Sequence, residues 1–249
     1  MFSFKPSKKK DEPLAVLASG RAVIPIYSGT DMSSIPAPRG ATFRPFYSLN
    51  RLTMFVAGAQ GCGKSYFIAN TVKQLLMTRP QRPVVLFTGL DEKDANFDGL
   101  PIRRVSLDKI EQVTLDKLRF GGRGSICIFD DVDRIRDKTQ HQAVQRLAME
   151  ILSNGRDHTT QKGIADIDII ISNHELNDYR RTKYILSDCQ YVVLFPGATT
   201  HMQMDIILRK IGTSAECAEQ IKASASRSVI IHKNYPLYFI SDDIISSLR

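Results

Sequence analysis

Short apolar runs alternate along this chain with longer segments in which apolar residues recur every three or four positions. The runs, which we predict to be strands, cover residues 52–57, 84–88, 125–129, 167–172 and 190–195. They are apolar nearly throughout, which is typical of parallel strands buried on both faces. The helical spacing predicts helices over 64–78 and 139–153. This alternation predicts an α/β fold, namely a doubly wound, mostly parallel sheet with helices on both faces and ligands at the carboxyl ends of its strands.

The two ends of the chain differ from this pattern. Apolar runs at 228–232 and 237–241 flank the segment Lys-Asn-Tyr-Pro and predict a C-terminal β-hairpin added to the sheet edge. Residues 1–50 contain six of the 11 prolines. Because proline blocks helix interiors and weakens strands, we expect a basic, proline-rich arm with little regular structure over 1–50. The α/β domain is then expected over 51–249.

Composition narrows the class of protein. The chain has 249 residues, of which 43% are hydrophobic, and no run approaches the roughly 20 apolar residues of a membrane span. Its start lacks the basic-then-apolar order of a secretory signal. The four cysteines form no Cys-x-x-Cys pair, which argues against a zinc site or a disulfide framework. We therefore expect a cytoplasmic protein with reduced thiols and no membrane span.

The chain is basic, with a net charge of +8 and a pI of about 9.3. Residues 1–50 hold seven Lys/Arg against three Asp/Glu, which is half of the excess. Such a balance favours a polyanionic partner. A solvated basic tail explains the first 50 residues equally well, so both interpretations stay open.

Residues 58–65 follow the first predicted strand and lead into the first predicted helix. Their sequence, Gly-Ala-Gln-Gly-Cys-Gly-Lys-Ser, matches the phosphate-loop pattern G-x-x-x-x-G-K-[ST]. Glycines let backbone N–H groups turn towards phosphates, and the start of the helix adds partial positive charge. The predicted ATP site consists of Gly58, Ala59, Gln60, Gly61, Cys62, Gly63, Lys64 and Ser65. Within it, Lys64 is expected on the β- and γ-phosphates and Ser65 on Mg²⁺.

Two carboxylates, Asp130 and Asp131, end the apolar run 125–129. In nucleotide hydrolysis one such carboxylate holds the Mg²⁺ shell while its neighbour polarises the attacking water. We assign Asp130 to Mg²⁺ and Asp131 to the water. Two solvated acids at the start of a turn are the alternative.

Polar residues also follow the strand predicted at 167–172, where Asn173 or His174 is expected to sense the γ-phosphate. Because the two are adjacent, only one is expected to point inward. Arg156 follows the helix after the acidic pair, and a guanidinium there could stabilise the phosphate transferred in a neighbouring subunit. Three other arginines are candidates for this role: Arg134, Arg180 and Arg181.

Five segments occur in a characteristic order: GAQGCGKS, ICIFDD, NGRDH, IIISNH and YVVLFP. Together they resemble the packaging ATPases of large DNA viruses and virophages, the viral branch of the FtsK–HerA superfamily, over residues 51–197. The first two are general to P-loop ATPases, whereas the last three carry the specific resemblance. The family's Gly-Arg-His element falls on Gly155 and Arg156, but Asp157 precedes His158 here, which departs from the pattern.

The resemblance implies a P-loop NTPase sheet and an ATP-driven motor that moves double-stranded DNA into a preformed capsid. It implies a homo-oligomeric ring that holds DNA phosphates without reading sequence, and a capsid or vertex protein as a further partner. The expected location is the host cytoplasm at the site of virus assembly, or the virion. Two other classes stay open: a small P-loop nucleotide kinase, and a nucleotide-switched helicase loader with weak hydrolysis.

Overall fold

The computed structural model describes residues 1–8, 11–47, 51–90, 94–156, 165–174 and 179–248, and of residues 179–182 the backbone alone. The chain divides into two compact units, one made of Met1–Ser48 with Gln190–Arg249 and the other of Leu49–Cys189.

The N-terminal residues form strands. They are β1 (Phe2–Ser3), β2 (Ala15–Ser19), β3 (Ala22–Ser28), β4 (Ser34–Pro36) and β5 (Ala41–Pro45). Four of them build an antiparallel sheet in the order β1-β3-β2-β5. The expectation of an arm with little regular structure is therefore wrong. Proline is tolerated because Pro36 and Pro45 end their strands, and because β1 pairs with Tyr27 and Ser28 of β3 but stops short of Pro25.

Residues 49–189 carry the alternating elements that the hydrophobic pattern predicts. In chain order they are β6 (Thr53–Ala57), α1 (Lys64–Thr78), β7 (Val84–Thr88), β8 (Ile102–Arg104), α2 (Leu115–Leu118), β9 (Ser125–Asp130), α3 (Lys138–Asn154), β10 (Ile167–Asn173) and α4 (Tyr179–Asp188). The four strands and two helices predicted in this region are all present. The pattern missed β8 and α2, which are too short to show a period, and α4, which contains few apolar residues.

The five strands of this unit run parallel in the order β6-β10-β9-β7-β8. The connection from β6 to β7 crosses the sheet in one direction, and the connection from β9 to β10 crosses it in the other. Because such crossovers are right-handed, α1 and α3 lie on opposite faces. The doubly wound, mostly parallel sheet is thus confirmed, and it places the carboxyl ends of β6, β10 and β9 side by side.

One acidic residue interrupts the buried apolar strands of this sheet. Asp168 of β10 is fully buried, and its carboxylate pairs with Arg79 and with Arg82, the latter at 2.6 Å. The same carboxylate accepts the backbone N–H of Leu52 at 2.7 Å. These contacts tie the end of α1 and the start of β6 to β10, so the acid serves the fold rather than the predicted site.

The rest of the other unit contains β11 (Tyr191–Leu194), α5 (His201–Ile211), α6 (Ala215–Lys222), β12 (Val229–His232), β13 (Tyr238–Ile240) and β14 (Ile244–Ser247). Strands β11, β12, β13, β14 and β4 pair antiparallel in that order. The C-terminal hairpin is confirmed as β12 and β13, and β14 and β4 continue it. Across the described residues, every helix is too short or too polar to cross a membrane.

Candidate nucleotide-binding site

The predicted phosphate loop leaves the carboxyl end of β6 and leads into α1. Gly61 and Gly63 have φ angles of 76° and 104°, in the left-handed region that favours glycine. The side chain of Lys64, the first residue of α1, folds back over the loop. Its Nζ donates to the carbonyl oxygens of Gly58 at 2.9 Å and Ala59 at 3.0 Å. The loop therefore wraps around the ammonium group of Lys64 and leads into the N-terminus of a long helix. A positive side chain at a helix N-terminus is the arrangement that binds an anion such as phosphate.

Lys64 is only 5% exposed, so its charge lies in a largely dry environment. Burial lowers the pKa of this ammonium group, and negative charge on Cys62, Asp131, Asp130 and Asp133 opposes that decrease. The neighbouring carboxylates thus stabilise the buried cation. A phosphate group entering the loop would take over this stabilising role.

Asp130 ends β9 and faces Ser65 of the loop. The Ser65 hydroxyl donates to Asp130 Oδ2 at 3.5 Å, and the Ser172 hydroxyl donates to Oδ1. Asp130 is 2% exposed, and burial raises its pKa to about 6. A carboxylate and a hydroxyl that meet in this way are oxygen donors of the kind Mg²⁺ prefers. The structure therefore brings the two predicted Mg²⁺ ligands together.

Asp131 turns away from Asp130 because its backbone has a φ of 53°, a conformation uncommon for residues other than glycine. Its N–H donates to Ser172 Oγ at 3.2 Å, and its carboxylate contacts Nε2 of His174. Burial raises the pKa of Asp131, but the hydrogen bond from His174 and the positive charges of Lys64 and Arg134 lower it by more, so the net shift is downward. Asp131 is thus held ionised beside its neighbour, as a group that orients water needs to be.

His174 is the member of the Asn173–His174 pair that faces the loop. Its Nδ1 lies 2.9 Å from Lys64 Nζ, and its backbone N–H donates to Asp133 Oδ2 at 3.1 Å. Because Lys64 can only donate, Nδ1 accepts, and in a neutral ring the proton then lies on Nε2, the nitrogen that contacts Asp131. By contrast, Asn173 lines a cavity of about 260 Å³ beside α3, together with Asp133 and Tyr184.

Two residues of this site were not assigned from the sequence. The Ser172 hydroxyl bridges the two acids, since it donates to the carboxylate of Asp130 and accepts the N–H of Asp131. Asp133 anchors the backbone of His174. The only sequence signal for Ser172 was a serine directly after three isoleucines in the run IIISN. Nothing in the local sequence shows that β10 lies beside β9.

The candidate arginines lie in different places. Arg156 is exposed and follows Gly155, whose carbonyl accepts the N–H of Ile167 at 2.9 Å. Ile167 begins β10, so Arg156 lies at the amino end of the sheet, one strand length of about 20 Å from the loop. Arg134 instead donates to Gln60 of the loop at 2.9 Å. Two predicted sets lie outside the described side chains: Asp157 with His158, and Arg180 with Arg181.

The chain is similar in sequence to one viral protein and in structure to several solved proteins. The chain is 26% identical over 251 residues to "Uncharacterized protein V3" of Sputnik virophage, with 98% of each chain covered. The solved structure of the genome packaging NTPase B204 from Sulfolobus turreted icosahedral virus 2, in complex with AMPPCP, is 14% identical with a TM-score of 0.51. That match covers 79% of this chain and 100% of B204. The chain has the P-loop NTPase fold.

The chain is also similar to the pCW3 conjugation coupling protein TcpA, solved with ATPgS. The identity is 12%, the TM-score is 0.50, and the match covers 93% of this chain and 75% of TcpA. No protein-family model matches the chain. The P-loop NTPase fold that the motifs predict is thus confirmed.

Proposed function

We propose that this P-loop NTPase hydrolyses ATP to move double-stranded DNA, and that it packages a viral genome into a preformed capsid. The observation that carries the proposal is one arrangement of side chains: Lys64, Asp130, Asp131 and His174 meet at the carboxyl ends of three adjacent parallel strands. The fold that holds them is shared with a genome packaging NTPase and a conjugation coupling protein. A virophage relative that matches along the whole chain supports the viral setting.

Each residue around the loop has a separate role in ATP hydrolysis. Lys64 binds the β- and γ-phosphates, and Asp131, kept ionised, orients the water that attacks the γ-phosphate. Ser65 and Asp130 would hold Mg²⁺, which would neutralise charge that develops on the phosphates. The raised pKa of Asp130 fits this role, because a buried carboxylate gains most from a neighbouring cation.

His174 links nucleotide binding to the sheet. Its ring lies between Lys64 and Asp131. When Lys64 moves to a γ-phosphate, the Nδ1 contact is lost and Nδ1 becomes free to bind a phosphate proton or water. The backbone of His174 is tied to Asp133, so this change is transmitted to the segment that follows β9. Such a step would couple the state of the nucleotide to movement of the polypeptide.

The proposed motor also has macromolecular partners. The net charge of +8 suits a motor that holds DNA phosphates without reading sequence. In the proposed homo-oligomeric ring, Arg156 acts on the nucleotide of the next subunit, a role compatible with its position at the amino end of the sheet, away from its own loop. A capsid or vertex protein is the further partner, and the host cytoplasm is the place of assembly.

The test is ATP turnover of the purified protein with and without long double-stranded DNA, alongside displacement of a triplex-forming oligonucleotide from that DNA. We expect DNA to stimulate turnover and ATP to be required for displacement. Lys64→Ala is the control that should lose both. DNA-independent turnover without displacement would contradict translocation, while leaving ATP hydrolysis in place.

A further inference from the structure

The edge of the parallel sheet contains a second cavity, separate from the phosphate loop. It has a volume of about 570 Å³ and lies between β8, the turn Leu107–Gln112 and α2. This volume falls in the range of about 300–1,000 Å³ that small-molecule sites occupy. None of the residues assigned to the nucleotide site lines it.

The rim of this cavity is strongly basic. Four cations line it: Arg103, Arg104, Lys109 and Lys117. Among the residues that line it in the described part of the chain there is no acid. The acids of the same segment, Asp108, Glu111 and Asp116, do not line the cavity. Asp108 accepts a hydrogen bond from Gln140 at 2.9 Å, and Asp116 pairs with Arg119 at 3.1 Å. The rim therefore attracts an anion.

The floor of the cavity is apolar and includes an aromatic ring. It is formed by Val85, Val105, Val113, Leu118 and Phe120. Phe120 has a φ of 45°, which is rare and strained for a bulky residue. Strained backbone persists where its surroundings enforce it, and it concentrates at ligand sites. The strain here places a half-buried aromatic side chain at the wall of a cationic cavity.

We infer that this cavity binds a nucleoside phosphate, with its base against Phe120 and its phosphate among the four cations. Cations that track phosphates beside an aromatic surface for the base are the features of sites for unpaired nucleotides. Duplex DNA hides its bases, so the ligand is an unpaired nucleotide of a nucleic acid strand or a free nucleotide. This inference goes beyond the ATPase and does not depend on hydrolysis.

The role of the rim cations can be tested by measuring the binding of 5′-fluorescein dT15 with fluorescence anisotropy, in the presence of EDTA. We expect Arg103→Glu combined with Lys109→Glu to weaken binding at least tenfold. The matched control is Lys73→Glu with Lys138→Glu, which changes the net charge equally at exposed helix positions and should weaken binding less than twofold. Equal losses in the two double variants, or no loss in either, would overturn the assignment.

Competition identifies the source of the ligand. Displacement of labelled dT15 by dTMP at a similar concentration of nucleotide units indicates a free nucleotide, and displacement by unlabelled dT15 alone indicates a strand. Polyglutamate that displaces dT15 as well as unlabelled dT15 does would show a site for charge only and refute the inference.

Phe120→Asn separates stacking from folding, because asparagine tolerates a positive φ. The variant should bind dT15 at least fivefold more weakly while its unfolding temperature stays within a few degrees of the wild type. Unchanged affinity would rule out a base against Phe120. ATP turnover without DNA, measured in parallel, should be unaffected in every variant, so that failure of this site is distinguishable from failure of the proposed ATPase.

Discussion

Asp130→Asn is expected to stabilise the nucleotide-free protein while it destroys activity. Asp130 is 2% exposed, and burial raises its pKa from 3.8 to about 6. At about 1.4 kcal/mol per pKa unit, keeping the carboxylate ionised costs the folded state about 3 kcal/mol. Asparagine keeps the shape of the side chain, and its Oδ1 still accepts the hydrogen bond from Ser172. The variant should therefore gain about 3 kcal/mol at pH 8 without Mg²⁺.

The gain should depend on pH in a defined direction. Above pH 6 the wild type carries the ionised, buried carboxylate and bears the full cost. As the pH falls from 6 towards 3.8, the folded state takes up its proton before the unfolded state does, so the wild type becomes more stable relative to the variant. The difference should disappear below about pH 4.

Thermal unfolding followed by circular dichroism between pH 4 and pH 8, with EDTA, measures this difference. About 3 kcal/mol corresponds to a rise of roughly 6–12 °C for a chain of this size. Asp131→Asn is the matched control: the pKa of Asp131 is lowered, so its ionised form stabilises the fold and the variant should melt lower than the wild type at pH 8. If Asp130→Asn were no more stable at pH 8, or if the gap were the same at pH 4, the reasoning from burial would be refuted.

Four further changes are expected to have distinct effects. Lys64→Ala should abolish ATP turnover and raise the Kd for nucleotide, while circular dichroism shows an intact fold; wild-type turnover would exclude the phosphate-loop assignment. Ser172→Ala should lower kcat and raise the Mg²⁺ concentration for half-maximal turnover, with partial recovery in Ser172→Thr; a loss of stability with unchanged Mg²⁺ dependence would mean a purely structural role. Asp168→Asn should cost about 3–5 kcal/mol in urea unfolding, because it weakens the pairing of two buried arginines; a cost below about 1 kcal/mol would contradict that pairing. Arg156→Ala should bind ATP normally yet hydrolyse it slowly, and mixing it with Lys64→Ala should restore part of the turnover; no recovery in rings shown to be mixed would remove Arg156 from the site.

The parts of the site that could be predicted from the sequence are contiguous. A phosphate loop is one uninterrupted segment between a strand and a helix, so its glycines, Lys64 and Ser65 appear together in the sequence. Asp130 and Asp131 follow an apolar run directly, which indicates the carboxyl end of a buried strand. Within residues 49–189, the four longer strands and the helices α1 and α3 followed from the hydrophobic period, because a parallel sheet with helices on both faces buries long, regular runs.

The tertiary structure decided everything that depends on which segments become neighbours. Ser172 bridges the two acids because β10 lies beside β9, and no local pattern states the order of strands. The choice of His174 over Asn173 depends on which side chain meets Lys64 across the sheet edge. The N-terminal strands were missed because their proline content speaks against regular structure locally, whereas pairing with other strands outweighs that preference. Local sequence sets the conformational preference of each segment, but contacts between distant residues contribute most of the free energy that selects one arrangement.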